Sequence, residues 1–179
     1  FFLNNNEIFF INLFKKKNIF FSNQISYIQN DIRSSVFKDN YFDYVTAISV
    51  IEHIGFDNLS YNFEKNKFNS NKINKKKESY KKAILEIKRT LKKKGNFLLT
   101  LPFGKKQIFK NYMQFDMLEI KKILNIFKPS RYSIKYYKFD KIKKEWNRVT
   151  DKQCKGTEAI SKKNIGICSM SVALIEFEK

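Results

Sequence analysis

Glycine and proline are scarce in this chain, with five of one and two of the other in 179 residues. No glycine precedes Asp31, so the opening of the sequence holds no glycine-rich turn. Cysteine is as rare. Cys154 and Cys168 are too few for a disulfide scaffold and lack the spacing of a zinc site. A single histidine, His53, excludes a multi-histidine metal centre. A reducing, cytoplasmic setting fits this cysteine usage. No apolar run approaches the ~20 residues that span a bilayer, so no membrane span is expected.

Charge of one sign is in excess: 36 Lys and Arg against 17 Asp and Glu give a formal net charge of +19. Arginine, the side chain suited to bidentate phosphate and base recognition, supplies only Arg33, Arg89, Arg131 and Arg148. Lys, Asn, Ile and Phe are inflated together, and all have AT-rich codons. Codon bias therefore explains the charge more simply than a polyanionic partner, and no specific nucleic-acid binding is expected. The runs 15–17, 75–77 and 92–94 read as solvated faces and turns. The start, Phe1-Phe2-Leu3-Asn4-Asn5-Asn6, has neither a basic n-region nor a small-residue cleavage site. Without an initiating Met, the expectation is a fragment.

The most informative stretch is 42–55. Phe42-Asp43 opens a short apolar strand that stops in Glu52-His53 and Gly55. Val45, Ala47, Ile48 and Val50 leave little polar alternation, so a strand over 42–50 is expected to be buried on both faces. Residues 56–79 are rich in Asn, Lys and Ser and read as a long insertion loop. From 78 to 91, Tyr80, Ala83, Ile84, Ile87 and Leu91 fall at helical spacing opposite Lys81, Lys82, Glu86 and Lys88. Gly95 reads as the stop of that region. A strand over 96–101 exits through Pro102-Phe103-Gly104, which places 107–116 near the mouth of any site there. A second amphipathic helix, 115–127, is closed off by Pro129. Strands over 25–29, 132–139 and 171–177 complete the set, the last two expected to pair antiparallel. Ile8, Phe9, Ile11 and Leu13 fit a helix face or a strand equally. Trp146, the one Trp, could cover a pocket or pack half-buried.

The Phe42-Asp43 start, the Val50-Ile51-Glu52-His53-Ile54 segment and the run from Leu91 to Gly104 together resemble the middle and late motifs of class I S-adenosylmethionine-dependent methyltransferases of the type 11/12-like domain. The resemblance covers about residues 25–179. It implies an α/β fold, Rossmann-like, with a mostly parallel sheet, an antiparallel last strand and three α/β/α layers. The whole chain would be one partial domain, 1–179, truncated at its N-terminus. Residues 1–24 would be the helix and connection into the third strand of the fold. The glycine-rich turn and the ribose-binding acid would precede Phe1, leaving the edge of 42–50 exposed.

S-adenosyl-L-methionine is the implied cofactor. On the resemblance, Asp31 accepts a hydrogen bond from the adenine amino group and Ile32 touches the ring. Ile48 and Ser49 meet the methionine part through backbone. Asp43 anchors its strand. Glu52 and His53 either act in catalysis, His53 as a general base, or brace the loop after the strand. The implied function is methyl transfer to a small-molecule or glycan acceptor at oxygen. Two other readings stay open: a non-catalytic methyltransferase-like interaction protein, and a basic nucleic-acid-associated protein.

Overall fold

Phe97, Leu99 and Leu101 alternate with Asn96, Leu98 and Thr100, and that alternation decides where the core lies. The structure, a computed structural model, describes residues 7–13, 25–56, 79–109, 111–162 and 166–179. In chain order the elements are β1 (Ile8–Asn12), β2 (Ile25–Gln29), β3 (Phe42–Ile48), a 3-10 turn (Ile51–His53), α1 (Tyr80–Thr90) and β4 (Leu91–Pro102). There follow β5 (Gln107–Ile108), β6 (Met113–Gln114), α2 (Met117–Phe127), β7 (Arg131–Asp140) and β8 (Glu145–Val149). The chain closes with α3 (Asp151–Cys154), β9 (Ile160–Lys162), β10 (Gly166–Cys168) and β11 (Ser171–Glu178).

The main sheet has the order β3-β4-β11-β7-β8. β3 and β4 run parallel. The last strand, β11, lies antiparallel between β4 and β7, with Ile175 opposite Leu99 on one side and Ile134 on the other. The expected open α/β sheet with an antiparallel last strand is therefore found. β8 adds a further antiparallel edge strand on β7 that the sequence did not announce. Its composition, Glu145-Trp146-Asn147-Arg148-Val149, carries only a weak strand signal, and pairing with β7 decides it.

One face of this sheet is dry. Phe97, Leu99 and Leu101 of β4 and Ala173, Ile175 and Phe177 of β11 are each at most 2% exposed. Helix α1 covers them with Tyr80, Ala83, Ile84 and Ile87, and α2 with Ile120, Ile123 and Phe127. Phe97, Phe127 and Phe177 pack ring on ring at centroid distances of 4.9–5.8 Å. The two helices are joined by Tyr80, whose hydroxyl donates to Glu119 at 2.5 Å. Asp116 caps α2 by accepting from the Glu119 amide at 2.9 Å. Lys128, in the left-handed region at φ 49°, ends it ahead of Pro129.

Helix α1 stops at Thr90, one residue short of the expected Leu91, and Gly95 is not its terminator. The Thr90 hydroxyl donates back to the Glu86 carbonyl at 3.1 Å, and Leu91 is already extended and opposite Phe42. The next pair on these strands is Tyr44 with Asn96, so 92–95 loops out of register. Gly95 is needed there for close approach. A Cβ would stand 2.9 Å from Leu91 Cγ and 3.0 Å from the Asp43 carbonyl oxygen. Lys92 reaches both carboxylate oxygens of Asp43 at 2.9 and 2.8 Å across this loop, the anchoring role expected of Asp43.

Two further expectations change. The strand over 42–50 was expected to be buried, yet β3 is an outer strand, with Tyr44 72%, Ile48 59% and Val50 44% exposed. Apolar composition reports a strand, but burial depends on what lies on either side. The second concerns 1–24, where Ile8–Asn12 is a strand, paired parallel with β2 from Ile8 opposite Ile25 to Asn12 opposite Gln29. Phe9 packs against Phe37, Tyr41 and Phe42 at 5.1–5.9 Å, tying this pair to the start of β3. Arg89 pins the connection between them, donating to Asp39, Glu86 and the Phe37 carbonyl. Of the expected insertion loop, 57–78 lies outside the described residues.

Gly104, at φ 154°, lies so close to the loop after α3 that a Cβ would sit 2.2 Å from the Thr157 carbonyl oxygen. Gly104→Ala must push that backbone away and should cost about 1–3 kcal/mol, read as a lower midpoint in urea unfolding.

Candidate functional site

Because β3 and β4 are parallel, their carboxyl ends open on one rim of the sheet. At that rim Ser49 takes a left-handed conformation, φ 53°, with its amide donating to Thr100 Oγ1 at 3.1 Å. Such a conformation is costly for a residue other than glycine and needs surrounding structure to hold it. It turns the chain from β3 into the 3-10 turn Ile51–His53. Ile51 is 1% exposed, and the turn packs on α1, β4 and β6.

Within this turn Glu52 and His53 face different surroundings. Glu52 is 3% exposed, and its Oε2 has no hydrogen-bond partner among the described residues. Burial raises its carboxyl from 4.5 to about 7, and a hydrogen bond from its own amide offsets only part of that. His53 is half-buried and donates from Nδ1 to the Asn111 carbonyl at 2.7 Å. That bond places the proton of the neutral ring on Nδ1 and makes Nε2 its accepting nitrogen. The His53 ring also lies 5.8 Å from Tyr112.

Tyr112 brings a second orphan. Its hydroxyl is buried without a hydrogen-bond partner among the described residues. Burial pushes the phenol well above its ordinary range; Ser169 nearby moderates this, while Glu52 and Cys168 add to it. Two residues on, Gln114 is fully buried and satisfied. Its Nε2 donates to the carbonyls of Lys105 at 3.0 Å and Thr157 at 2.8 Å, and its Oε1 accepts from Ser169 at 3.0 Å. Gln114 thus joins three chain segments behind the Glu52 turn. The expectation that 107–116 borders the mouth agrees with this placement. Tyr112 and Gln114 were not singled out from sequence, since no motif surrounds them; only their nearness to the Pro102-Phe103-Gly104 exit hinted at a role.

The structure brings Ile48, Ser49, Glu52 and His53 together at one rim. Asp31 and Ile32 follow β2, which belongs to the separate two-stranded sheet. Ile32 packs against the main core. The Asp31 carboxylate is gripped by Arg33, from its amide at 2.9 Å and from Nε and Nη2 of its side chain. Burial pushes this carboxyl up, but the Arg33 hydrogen bonds and charge outweigh it and hold Asp31 below the usual range. Trp146 stands half exposed on β8, opposite Phe139 and across the sheet from β3. Both cysteines are free thiols, and no metal-binding cluster occurs among the described residues.

An open sheet of this order, with a polar turn at the carboxyl ends of its parallel strands, defines a Rossmann-like α/β protein whose ligand site lies at that rim. A family model described as "Methyltransferase domain" matches residues 10–99, half of the chain and all six expected site residues. The chain belongs to that family, within the class I S-adenosylmethionine-dependent methyltransferases. Solved structures agree in fold. The 1,6-didemethyltoxoflavin-N1-methyltransferase of Burkholderia thailandensis, crystallised with 1,6-didemethyltoxoflavin and S-adenosylhomocysteine, aligns at TM-score 0.56 and 9% identity, over 97% of this chain and 61% of its own. A SAM-dependent methyltransferase of Thermotoga maritima aligns at 0.52 and 11%, over 87% of this chain and 65% of its own. One from Archaeoglobus fulgidus aligns at 0.50 and 12%, over 86% and 67%. The chain thus spans about two thirds of the length of these structures. A search of the curated proteins finds no match.

Glu52 gives the site a pH signature. Its carboxyl is raised on folding, so the native state binds the proton more tightly than the unfolded chain. Its contribution to stability is therefore fully present below pH 4.5, declines as pH rises to about 7, and is lost above. The loss amounts to about 3 kcal/mol. Glu52→Gln should remove this slope and be the more stable protein at pH 8, measured by urea unfolding across that range. An unchanged slope in the variant would assign the effect to another group.

Proposed function

We propose that this chain carries out S-adenosylmethionine-dependent methyl transfer to a small-molecule or glycan acceptor, at oxygen, with Glu52 and His53 at the reacting end. The observation that carries this reading is the family match over 10–99, which includes the whole β3 rim. Solved structures of the same fold are methyltransferases, one of them holding S-adenosylhomocysteine.

The residues present suit the cofactor in part. Asp31 is kept ionised by Arg33, which preserves a carboxylate acceptor for an adenine amino group, and each carboxylate oxygen has two lone pairs to share. Ile32 would lie along the ring. The left-handed turn at Ser49 and the exposed Ile48 would meet the methionine end. S-adenosylmethionine supplies a methyl group already activated by its sulfonium. What remains for the protein is to align the acceptor, exclude water and take a proton.

Two groups at the rim suit that last task. His53, with its proton fixed on Nδ1 by Asn111, presents Nε2 as a base. Glu52, raised to about 7, can hold or release a proton near neutral pH. The second reading is a non-catalytic interaction protein, which would use the same sheet without a complete cofactor site.

Calorimetric titration with S-adenosylmethionine and S-adenosylhomocysteine separates the two. Binding is expected of the full-length protein, and there Asp31→Ala should weaken it by about 1–3 kcal/mol. No binding to the folded full-length protein would favour the non-catalytic reading. Where S-adenosylhomocysteine release reports turnover, His53→Ala should lower it by about 10²–10⁴ with cofactor affinity nearly unchanged. Near-normal turnover would leave His53 a brace for the 109–115 segment.

A further inference from the structure

The hairpin of β7 and β8 takes no part in the site, and its tip is exposed throughout. Every residue from 141 to 148 is exposed. Ile142, at the tip, is 92% exposed, and Trp146 on the returning strand is 49% exposed with Phe139 packed 5.5 Å behind it. The turn is well specified. Asp140 Oδ1 accepts from the amides of Ile142 at 2.8 Å and Lys143 at 3.1 Å, and Lys144 closes the turn in the left-handed region at φ 56°. Asp140 therefore spends its charge on the backbone while Ile142 is held outward. Around it stand Lys141, Lys143, Lys144 and Arg148, none in an ion pair among the described residues, against one further acid, Glu145, which accepts from Asn147 at 3.3 Å.

We propose that this hairpin tip is a docking surface for an anionic phospholipid bilayer. An aliphatic side chain on a protruding turn is at a disadvantage in water and gains on entering the acyl boundary. Trp suits the headgroup level, where its ring is apolar on one side and its N–H meets water. Lysines flanking an apolar tip can leave their stems in the apolar layer and their ammonium groups among lipid phosphates. A nucleic acid would also draw the cations and the Trp. The most projecting residue is Ile142, however, and it has neither a ring to stack nor a group to hydrogen-bond. The bilayer uses it; a polynucleotide does not.

Topology gives this docking a direction. β11 is antiparallel to both β4 and β7, so β7 runs the same way as β3 and β4. Tyr137 and Pro102 share a level through Val172, and the tip begins beyond Asp140, three residues further out. The tip thus projects past the rim that carries Glu52 and His53, and a bilayer bound there faces that rim. No helix among the described residues is long enough to cross the membrane, so the contact is peripheral. The proposal stands apart from the methyl-transfer reading.

The test is co-sedimentation of the chain with phosphatidylcholine vesicles, with and without phosphatidylglycerol. The chain should partition onto the anionic vesicles and scarcely onto the neutral ones. Its single Trp should then shift its emission to the blue as it leaves water. Lys141→Gln/Lys143→Gln/Lys144→Gln should lower the partition coefficient about a hundredfold, from about fivefold per lysine. Ile142→Ser should lower it about tenfold. All these positions are exposed, so the fold should be kept. A charge-matched control at exposed positions elsewhere, Lys82→Gln/Lys93→Gln/Lys121→Gln, should retain most of the binding. The proposal fails if no partitioning occurs, if the control loses as much as the hairpin variant, or if Ile142→Ser binds as well as the parent. It also fails if Trp146 emission is unmoved on bound vesicles, or if single-stranded RNA displaces the chain from them through the same hairpin residues.

Discussion

The molecule depends on β11 lying between β4 and β7. That last strand joins a parallel half, β3 and β4, to an antiparallel half, β7 and β8. It satisfies backbone groups on both neighbours at once. Its inward residues Ala173, Ile175 and Phe177 extend the face begun by Phe97, Leu99 and Leu101, so one continuous apolar surface receives both helices. The Phe97–Phe127–Phe177 cluster is where β4, β11 and α2 meet. Without β11, the helices would cover half a sheet and β7 would have no place beside β4.

The rim at the end of that sheet shows how partners decide what a buried carboxyl is. Glu119 and Glu52 are equally hidden, each 3% exposed. Burial pushes Glu119 up as well, but Lys106 at 2.5 Å, Lys122 at 2.7 Å and the Tyr80 hydroxyl outweigh it and hold it at about 2. Glu52 has no such partners and rises to about 7. One is a fixed anion that joins two helices and a loop; the other can change its proton near neutral pH. Both lie in a family of known chemistry, but only Glu52 sits on the turn at the carboxyl end of a parallel strand.

Much of this was legible. The helical spacing of Tyr80, Ala83, Ile84 and Ile87 gave α1 to within two residues, and Pro129 marked the end of α2. The segment from Phe42 to Gly55 pointed both to the strand and to the turn after it, because an apolar run that stops in charged residues and glycine has few other uses. The family resemblance also came from local segments. Other features were not legible because they depend on distant partners. β1 is a strand through its pairing with β2, and β8 through its pairing with β7. The orphaned hydroxyl of Tyr112 and the stitching by Gln114 exist only once 103–116 folds back over the Glu52 turn.

The sequence by itself determined which segments are amphipathic, which turns break them, and that Glu52 and His53 end a strand. These follow from local sterics and periodicity, which a short window contains. The tertiary structure alone decided that Tyr44 and Ile48 of β3 face outward and that Gly95 and Gly104 serve close backbone approach. It also turned Glu52 inward, its Oε2 unpaired among the described residues, and set Ile142 outward on a capped turn. Burial and charge state depend on which atoms come to surround a group, and those atoms arrive from far along the chain.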